Sequence, residues 1–374
     1  MMASGMTGRW SAPSILPLFL LLLLVGGGVS EEACKTAAQG QQCSSPIFYG
    51  VDVLLDSHTV LLTEGTEEEI QSSDWNGRFP MHHVAEDDTC KVLGLEERDA
   101  AVRVWDAFTF FNEVEILKVR LNTLRDVVHK FVLVEATRTH SNKPKRLFFD
   151  EQKHIFDEFS SQIVHVVVND LPDSEDSWLL EHFQRNAITR GLASPQDLVI
   201  VSDVDEIPTP HAIRILKECE GWDQSGPIHF FTRFYNFKFT WQFEAMWFHP
   251  QASTYDWITR NSPQTLRMSR TRPSFLRLDD AGWHMSFFAD PERIMEKIRA
   301  YAHQQAKEFN RQDMLDKEAI TQAIANGTDY FYAHGKGEVR FGLLFHNPTC
   351  HGLPEFVVRR AEYANWLPEE CQQQ

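Results

Sequence analysis

No glycine-rich nucleotide loop occurs in the 374 residues. The nearest approach to G-x-G-x-x-G, Gly335-Lys336-Gly337, carries Arg340 where the third glycine belongs, so the dinucleotide fingerprint is missing. G-x-x-x-x-G-K-[ST], H-E-x-x-H and G-x-S-x-G are missing too, which removes the P-loop, zincin and serine-hydrolase signatures. Cysteine is sparse, six in all, and no C-x-x-C supports a zinc ribbon or a thioredoxin-like site. Basic residues are outnumbered, 36 Lys and Arg against 53 Asp and Glu, for a net charge of −17. Such a chain repels a phosphate backbone, and no nucleic-acid partner is expected. With 43% hydrophobic and 24% charged residues, the chain as a whole is neither disordered nor fibrous.

The acid is uneven. Residues 31–100 hold 15 Asp and Glu against 4 Lys and Arg, a net of −11, whereas residues 101–374 carry −7. Ahead of them, Arg9 precedes an apolar run from Ile15 to Val25, broken only by Pro17, and Gly28 and Ser30 are small enough for cleavage after Ser30. The run has the length of a signal-peptide core and falls short of the roughly 20 residues of a membrane span. Counted from Ala12 to Val29, it also fits a short uncleaved anchor with Arg9 on the cytoplasmic side. Either reading sends the body into the secretory pathway, as a Golgi type II membrane protein or as a soluble lumenal or secreted one. Membrane contact is expected only through this segment if it stays uncleaved. Six cysteines, Cys34, Cys43, Cys90, Cys219, Cys350 and Cys371, suit that oxidising compartment, with pairing left open. Asn326-Gly327-Thr328 is a glycosylation sequon. The expected organisation is a leader or anchor over 1–30, an acidic stem over 31–100, a catalytic body over 101–366 and a tail over 367–374.

Within the body, apolar strands alternate with helices. Val102–Phe111, Phe131–Val134, Ile163–Val168 and Leu198–Val201 read as strands. Val114, Leu117, Leu121 and Leu124 recur on one helical face. Residues 151–159 and Trp178–Gly191 read as helices, while Thr209-Pro210 and Asp290-Pro291 are cap-plus-proline helix starts. This alternation predicts an α/β fold with a mostly parallel sheet flanked by helices. The aromatics crowded into Phe230–Phe248 could bind an acceptor, but alternation in Phe230–Phe239 suggests strands with one buried face, and core is the expected role. Lys143, Lys145 and Arg146 read as a solvated basic group.

Chemistry concentrates at Leu198-Val-Ile-Val-Ser-Asp203-Val-Asp205-Glu206-Ile-Pro208. Three carboxylates follow a buried strand, at the edge where open α/β sheets bind ligands. If the strand continues, Asp203 and Asp205 share one face. Two hard oxygen donors suit Mg²⁺ or Mn²⁺, with a substrate diphosphate completing the shell. The bland alternative is a polar loop whose acids cap the next helix.

Asp203-Val204-Asp205-Glu206-Ile207-Pro208 resembles the D-x-D-E-I-P signature of glycosyltransferase family 17. Phe111-Asn112-Glu113, Leu117, Arg120-Leu121, Leu124, Asp126-Val127-Val128 and Phe131 through Glu135 resemble that family's first strand–helix–strand, continued by Lys145 and Phe148. Gly282-Trp283-His284 with Ser286 resembles its G-W-H-C-S segment, so the likeness covers roughly residues 101–300. Ser202 and Met285 depart from the pattern, standing where Asp and Cys are expected.

The resemblance implies a GT-A-like, Rossmann-type fold and an inverting transferase. The donor would be UDP-GlcNAc, used with a divalent metal, and the acceptor a mannose of a glycoprotein N-glycan in β-1,4 linkage. In that reading Asp205 is the direct metal ligand, and Asp203 binds the metal through water or holds the ribose. Glu206 is placed on the substrate side. Asp280 is the first candidate for the base and Asp279 the second; both could instead hold a turn. His284 is a third ligand, a diphosphate contact or a core histidine, and Trp283 stacks on a sugar or packs. Glu135 is a candidate for uridine or sugar hydroxyls, and Arg185 for phosphate or a plain ion pair. Two rival classes share these acids, a metal-dependent phosphoester hydrolase and a calcium-dependent glycan-binding protein. The first favours two metals and more ligands, the second more oxygens than the cluster holds.

Overall fold

The computed structural model describes residues 90, 95–192, 197–222, 226–269, 277–301, 315–328 and 344–372. All of them belong to one of the chain's two units, Leu54–Gln374. The expected leader, Cys34, Cys43 and most of the expected stem lie outside the described residues. The strands are β1 (Glu96–Glu97), β2 (Val104–Phe110), β3 (Lys130–Ala136), β4 (Ile163–Val168), β5 (Leu198–Asp203), β6 (Glu206–Pro208), β7 (Cys219–Glu220), β8 (Ile228–Phe230), β9 (Arg233–Asn236), β10 (Lys238–Phe243), β11 (Gln251–Thr254), β12 (Arg277–Leu278), β13 (Gly282–Ser286) and β14 (Leu344–His346). The helices are α1 (Val114–Leu124), α2 (Phe148–Gln152), α3 (Ser177–Asn186), α4 (Pro210–Glu218), α5 (Tyr255–Asn261), α6 (Pro263–Met268), α7 (Pro291–Ala300), α8 (Lys317–Asn326) and α9 (Glu355–Val358).

Seven strands form the main sheet in the order β12-β8-β11-β5-β2-β3-β4. Neighbours among β5, β2, β3 and β4 run parallel, and β11 is reversed between β5 and β8. The strand period of two sends alternate residues to opposite faces. Phe108, Phe110, Phe131, Leu133, Leu198 and Ile200 join one apolar cluster with Leu117 and Leu121 of α1 and Leu216 of α4. Ala107, Val132, Val134, Val199 and Val201 join another with Leu180 of α3 and Leu266 of α6. Helices thus cover both faces, which is why these strands read as continuous apolar runs. The expectation of an α/β fold with a mostly parallel sheet between helices holds.

The helix signals act as expected. Thr209 accepts from the Ala212 N–H and Asp290 from the Arg293 N–H, each ahead of a proline in the first turn. Two predicted helices are shorter than their patterns: α2 gives way to a 3₁₀ segment over Lys153–Phe159, and α3 to one over Ala187–Gly191. Apolar spacing does not separate the two helix types.

A second sheet, β14-β10-β9-β13-β6, stands beside the first. It takes up the aromatic segment: Phe234, Tyr235, Phe239 and Phe243 are buried, in line with core. Close packing of β13 on β6 needs Gly282. A Cβ there would lie 2.3 Å from the Ile207 carbonyl oxygen and 2.9 Å from Pro208 Cα. Gly282→Ala should therefore destabilise the fold by about 1–3 kcal/mol, read from urea unfolding.

Two disulfides resolve part of the open pairing, Cys90–Cys219 and Cys350–Cys371. The first ties the segment before β1 to the end of α4, where β1 also pairs with β7. Both fit an oxidising compartment. Among the described residues no helix is long and apolar enough to cross a membrane.

Candidate functional site

The acidic turn is shaped by a buried arginine. Arg120 of α1 is fully buried and pairs with Asp106 of β2 at 2.6 Å. Its Nη1 donates to the carbonyls of Asp203, Val204 and Glu206 at 2.9–3.1 Å, and its Nη2 to Ser202 Oγ at 2.6 Å. One planar guanidinium therefore fixes the backbone of the whole turn. Ser202, a departure from the family pattern, is one of its acceptors.

The turn separates the two aspartates. β5 ends at Asp203, residues 204–205 form a tight turn, and Glu206 starts β6 in the other sheet. The continued strand that would put Asp203 and Asp205 on one face does not occur, because the chain changes sheets between them. Asp203 Oδ1 accepts from Thr109 Oγ1 at 2.9 Å and Arg185 Nη2 at 3.1 Å, and Oδ2 from Arg267 Nη2 at 2.8 Å. Glu206 is 1% exposed and takes Arg267 on both oxygens at 2.7 and 2.8 Å, Trp247 Nε1 at 2.7 Å and the Asp203 N–H at 2.8 Å. Arg185 also holds Glu181 and Gln264. These groups form one connected network, buried at Glu206 and Arg185 and a third exposed at Asp203.

Burial penalises both carboxylates, yet Arg267 together with the other cations and hydrogen-bond donors around them more than offsets it. Glu206 is held down to about 2 and Asp203 lower still. Burial also pushes His249 down to about 3 and His229 down to about 4, so both are neutral. All four folded values lie below the unfolded ones, so each contribution is complete above the unfolded value and is lost as pH falls through the folded one. The melting temperature should hold steady above about pH 6.5, decline through the histidine window, and fall further as the carboxylates protonate below about pH 4. A melting series from pH 8 to 3 checks this; a curve flat to pH 4 would contradict it.

Asp205 points elsewhere. Its Oδ2 accepts from Lys297 Nζ of α7 at 2.8 Å, and the same ammonium lies 2.9 Å from Glu113 Oε1. Glu113, just past the end of β2, also accepts from the N–H groups of Phe111 and Asn112 through Oε2. Burial works against its charge, but Lys297 and these hydrogen bonds leave its pKa below the usual glutamate range. His284 of β13 stacks between Phe234 and Trp247, with its Nε2 4.0 Å from Asp205 Oδ1. Burial lowers its pKa, so the ring is neutral, and its Nδ1 is buried without a hydrogen-bond partner. A cavity of about 330 Å³ opens onto this cluster, lined by Asp205, Glu113, Lys297, Arg293, Phe287, Tyr363, Asn365 and Trp366 among others.

The remaining candidates are spread out. Glu135, fully buried at the end of β3, accepts from the Phe149 N–H at 3.2 Å and lies 3.5 Å from Lys145 Nζ and 3.3 Å from His165 Nε2. Lys145 corrects the solvated reading: its side chain is 6% exposed, covered by Glu135 and by the faces of Phe111 and Phe148. Lys143 and Arg146 are exposed as expected. Trp283 is buried with its indole N–H donating to the Gly352 carbonyl at 2.7 Å. Asp280 takes both Arg233 nitrogens at 2.6 Å in a left-handed turn (φ 50°), and burial pushes its carboxyl pKa up despite that partner. Asp279 is half-buried beside it. The Met285 N–H donates to the Asp205 carbonyl, and Gly282 lies three residues, or roughly 10 Å, back along β13 from Met285. Asp279 and Asp280 precede even Gly282, so the structure does not bring them to the Asp205 cluster. Asn326 ends α8 and is exposed.

Sequence reasoning missed Lys297, Arg267 and the role of Glu113. Glu113 had a signal, its place in Phe111-Asn112-Glu113 at a strand's carboxyl end. Lys297 and Arg267 lie in helices distant in sequence and had none.

A metal fits part of this arrangement. Among the described residues no group of three or more His, Cys, Asp or Glu encloses an ion alone. Asp205 and Glu113 do converge on one cation position, that of the Lys297 ammonium. One or two carboxylates with phosphate and water filling the remaining places is the habit of Mg²⁺, and Mn²⁺ takes similar oxygen donors.

The strand order is that of an α/β protein with a mostly parallel sheet and acids at its carboxyl edge. The family model for glycosyltransferase family 17 matches residues 68–374, and the chain belongs to that family. The β-1,4-mannosyl-glycoprotein 4-β-N-acetylglucosaminyltransferases of Rattus norvegicus, Homo sapiens and Mus musculus are each 26% identical to it over 236 residues. That match covers 54% of this chain and 44% of each relative, so the chain spans less than half the length of these relatives. Among solved structures, the mannosyltransferase PcManGT from Pyrobaculum calidifontis, in complex with GDP-Man and Mn²⁺, is similar at 10% identity with a TM-score of 0.34, over 62% of this chain and 78% of that one.

Proposed function

We propose that this chain transfers N-acetylglucosamine from UDP-GlcNAc to a mannose of a glycoprotein N-glycan, forming a β-1,4 linkage with inversion. The observation that carries the reading is the convergence of Asp205 and Glu113 on one cation position, open to a cavity at the carboxyl edge of the sheet. These two carboxylates would hold Mn²⁺ or Mg²⁺, with neutral His284 beside Asp205. When bound, the ion supplies positive charge to a leaving diphosphate. Lys297 and Arg293 add positive charge on the same wall. Arg120 keeps the turn rigid, and Asp203, Glu206, Arg185 and Arg267 form its frame, so Asp205 needs no reorganisation as charge develops. Trp366 offers a face for sugar C–H groups and Asn365 an amide for hydroxyls, so the acceptor enters on that side. Asp280 and Trp283 brace β13 in this reading. Residues 1–30 deliver the body to the secretory pathway, with the Golgi lumen as its place of work.

A donor panel tests the reading. UDP-GlcNAc, UDP-galactose and GDP-mannose are titrated by calorimetry with and without Mn²⁺. UDP-GlcNAc should bind tightest, and only with the ion; preference for GDP-mannose, or binding unaffected by the ion, would sink the proposed donor chemistry.

A further inference from the structure

Lys297 occupies the position that the proposed function gives to the divalent ion. Its Nζ touches Asp205 Oδ2 at 2.8 Å and Glu113 Oε1 at 2.9 Å, and among the described residues no third carboxylate joins them to hold a second cation. An ammonium and a divalent ion repel each other at such range and cannot both sit between two carboxylates. The lysine is also able to leave. It sits near the C-terminal end of α7, its side chain is 23% exposed, and it lines the 330 Å³ cavity, into which its four-carbon stem can turn. Arg293, one helical turn earlier, donates to the Asn112 carbonyl and is the other cation on a lining that also carries Glu115, Asp290 and Glu362. A diphosphate entering the cavity offers the ammonium a replacement partner of higher charge.

We propose that Lys297 is a positioning residue that gates the cation site. Without donor it neutralises Asp205 and Glu113 and keeps divalent ions out. With donor it turns onto the diphosphate and leaves the two carboxylates to the ion, so ion and nucleotide bind as one event. This rests on the metal-assisted reading above. No covalent step is involved; one cation replaces another at the carboxylates. By linkage, the factor by which nucleotide tightens ion binding must equal the factor by which the ion tightens nucleotide binding.

The test is Mn²⁺ binding, read from the electron paramagnetic resonance of the free ion, with and without UDP, on the full chain. Wild type should bind Mn²⁺ weakly alone and about tenfold or more tightly with UDP. Lys297→Met should bind Mn²⁺ alone about tenfold more tightly than wild type, with most of the UDP effect gone. Lys297→Arg keeps the charge and should behave like wild type without UDP. Lys297→Gln carries the same expectation as the methionine variant and replaces it if that one does not fold. Unchanged UDP-free Mn²⁺ affinity in folded Lys297→Met or Lys297→Gln would overturn the gate while leaving the metal reading intact. Absence of Mn²⁺ binding by wild type even with UDP would overturn both.

Discussion

Arg267→Leu should lose about 3–5 kcal/mol of folding stability, the range seen when one partner of a buried ion pair is removed. The change strips two bonds from Glu206 and one from Asp203. Glu206, at 1% exposure, then has only the Trp247 indole and the Asp203 N–H to offset a buried charge. Urea unfolding at pH 7 measures the loss. Arg267→Lys should recover only part of it, because a single ammonium cannot serve two carboxylates in a forked geometry. Adding Glu206→Gln to Arg267→Leu should recover more, since it removes the stranded charge itself. A double variant no more stable than Arg267→Leu would show that lost packing, not the charge, sets the cost.

Asp205→Ala should lower transfer by about a thousandfold or more while the protein stays folded. The two halves of that expectation come from the division of the acidic turn. Asp203 and Glu206 are bound into the arginine network, so removing Asp205 leaves the frame in place. Lys297 keeps Glu113 as a partner, so no cation is stranded. The matching control is Asp203→Asn, which disturbs contacts to Arg185, Arg267 and Thr109 and should cost stability as well as activity. Transfer rates, together with melting temperatures, separate the two variants. Full activity in a folded Asp205→Ala protein would end the assignment of Asp205 to the donor side.

The layered fold was legible because burial on both faces of β3 and β5 leaves an unmistakable apolar run, and because Thr209-Pro210 and Asp290-Pro291 state their helix starts locally. The acidic turn was legible as a place and misleading as a shape. Alternation by two puts Asp203 and Asp205 together only on a continuing strand, and the chain leaves the sheet after Asp203. What closes each carboxylate comes from far away in sequence: Arg267 lies 64 residues from Asp203, and Lys297 lies 92 from Asp205. Local pattern carries no information about such partners. Lys145 shows the same limit in the other direction. A basic residue between two others reads as solvated, but Glu135 and two aromatic faces enclose it. The disulfides follow suit, since spatial proximity, not spacing, pairs Cys90 with Cys219.

The central claim is that the edge carrying Asp205 and Glu113 transfers a sugar. Its most direct test is incubation of the purified protein with UDP-GlcNAc, Mn²⁺ and a free N-glycan, followed by mass spectrometry of the glycan. The account predicts a product heavier by one N-acetylhexosamine, formed only with the ion and lost in Asp205→Ala. An unchanged glycan, whether the donor is hydrolysed or left intact, would contradict it.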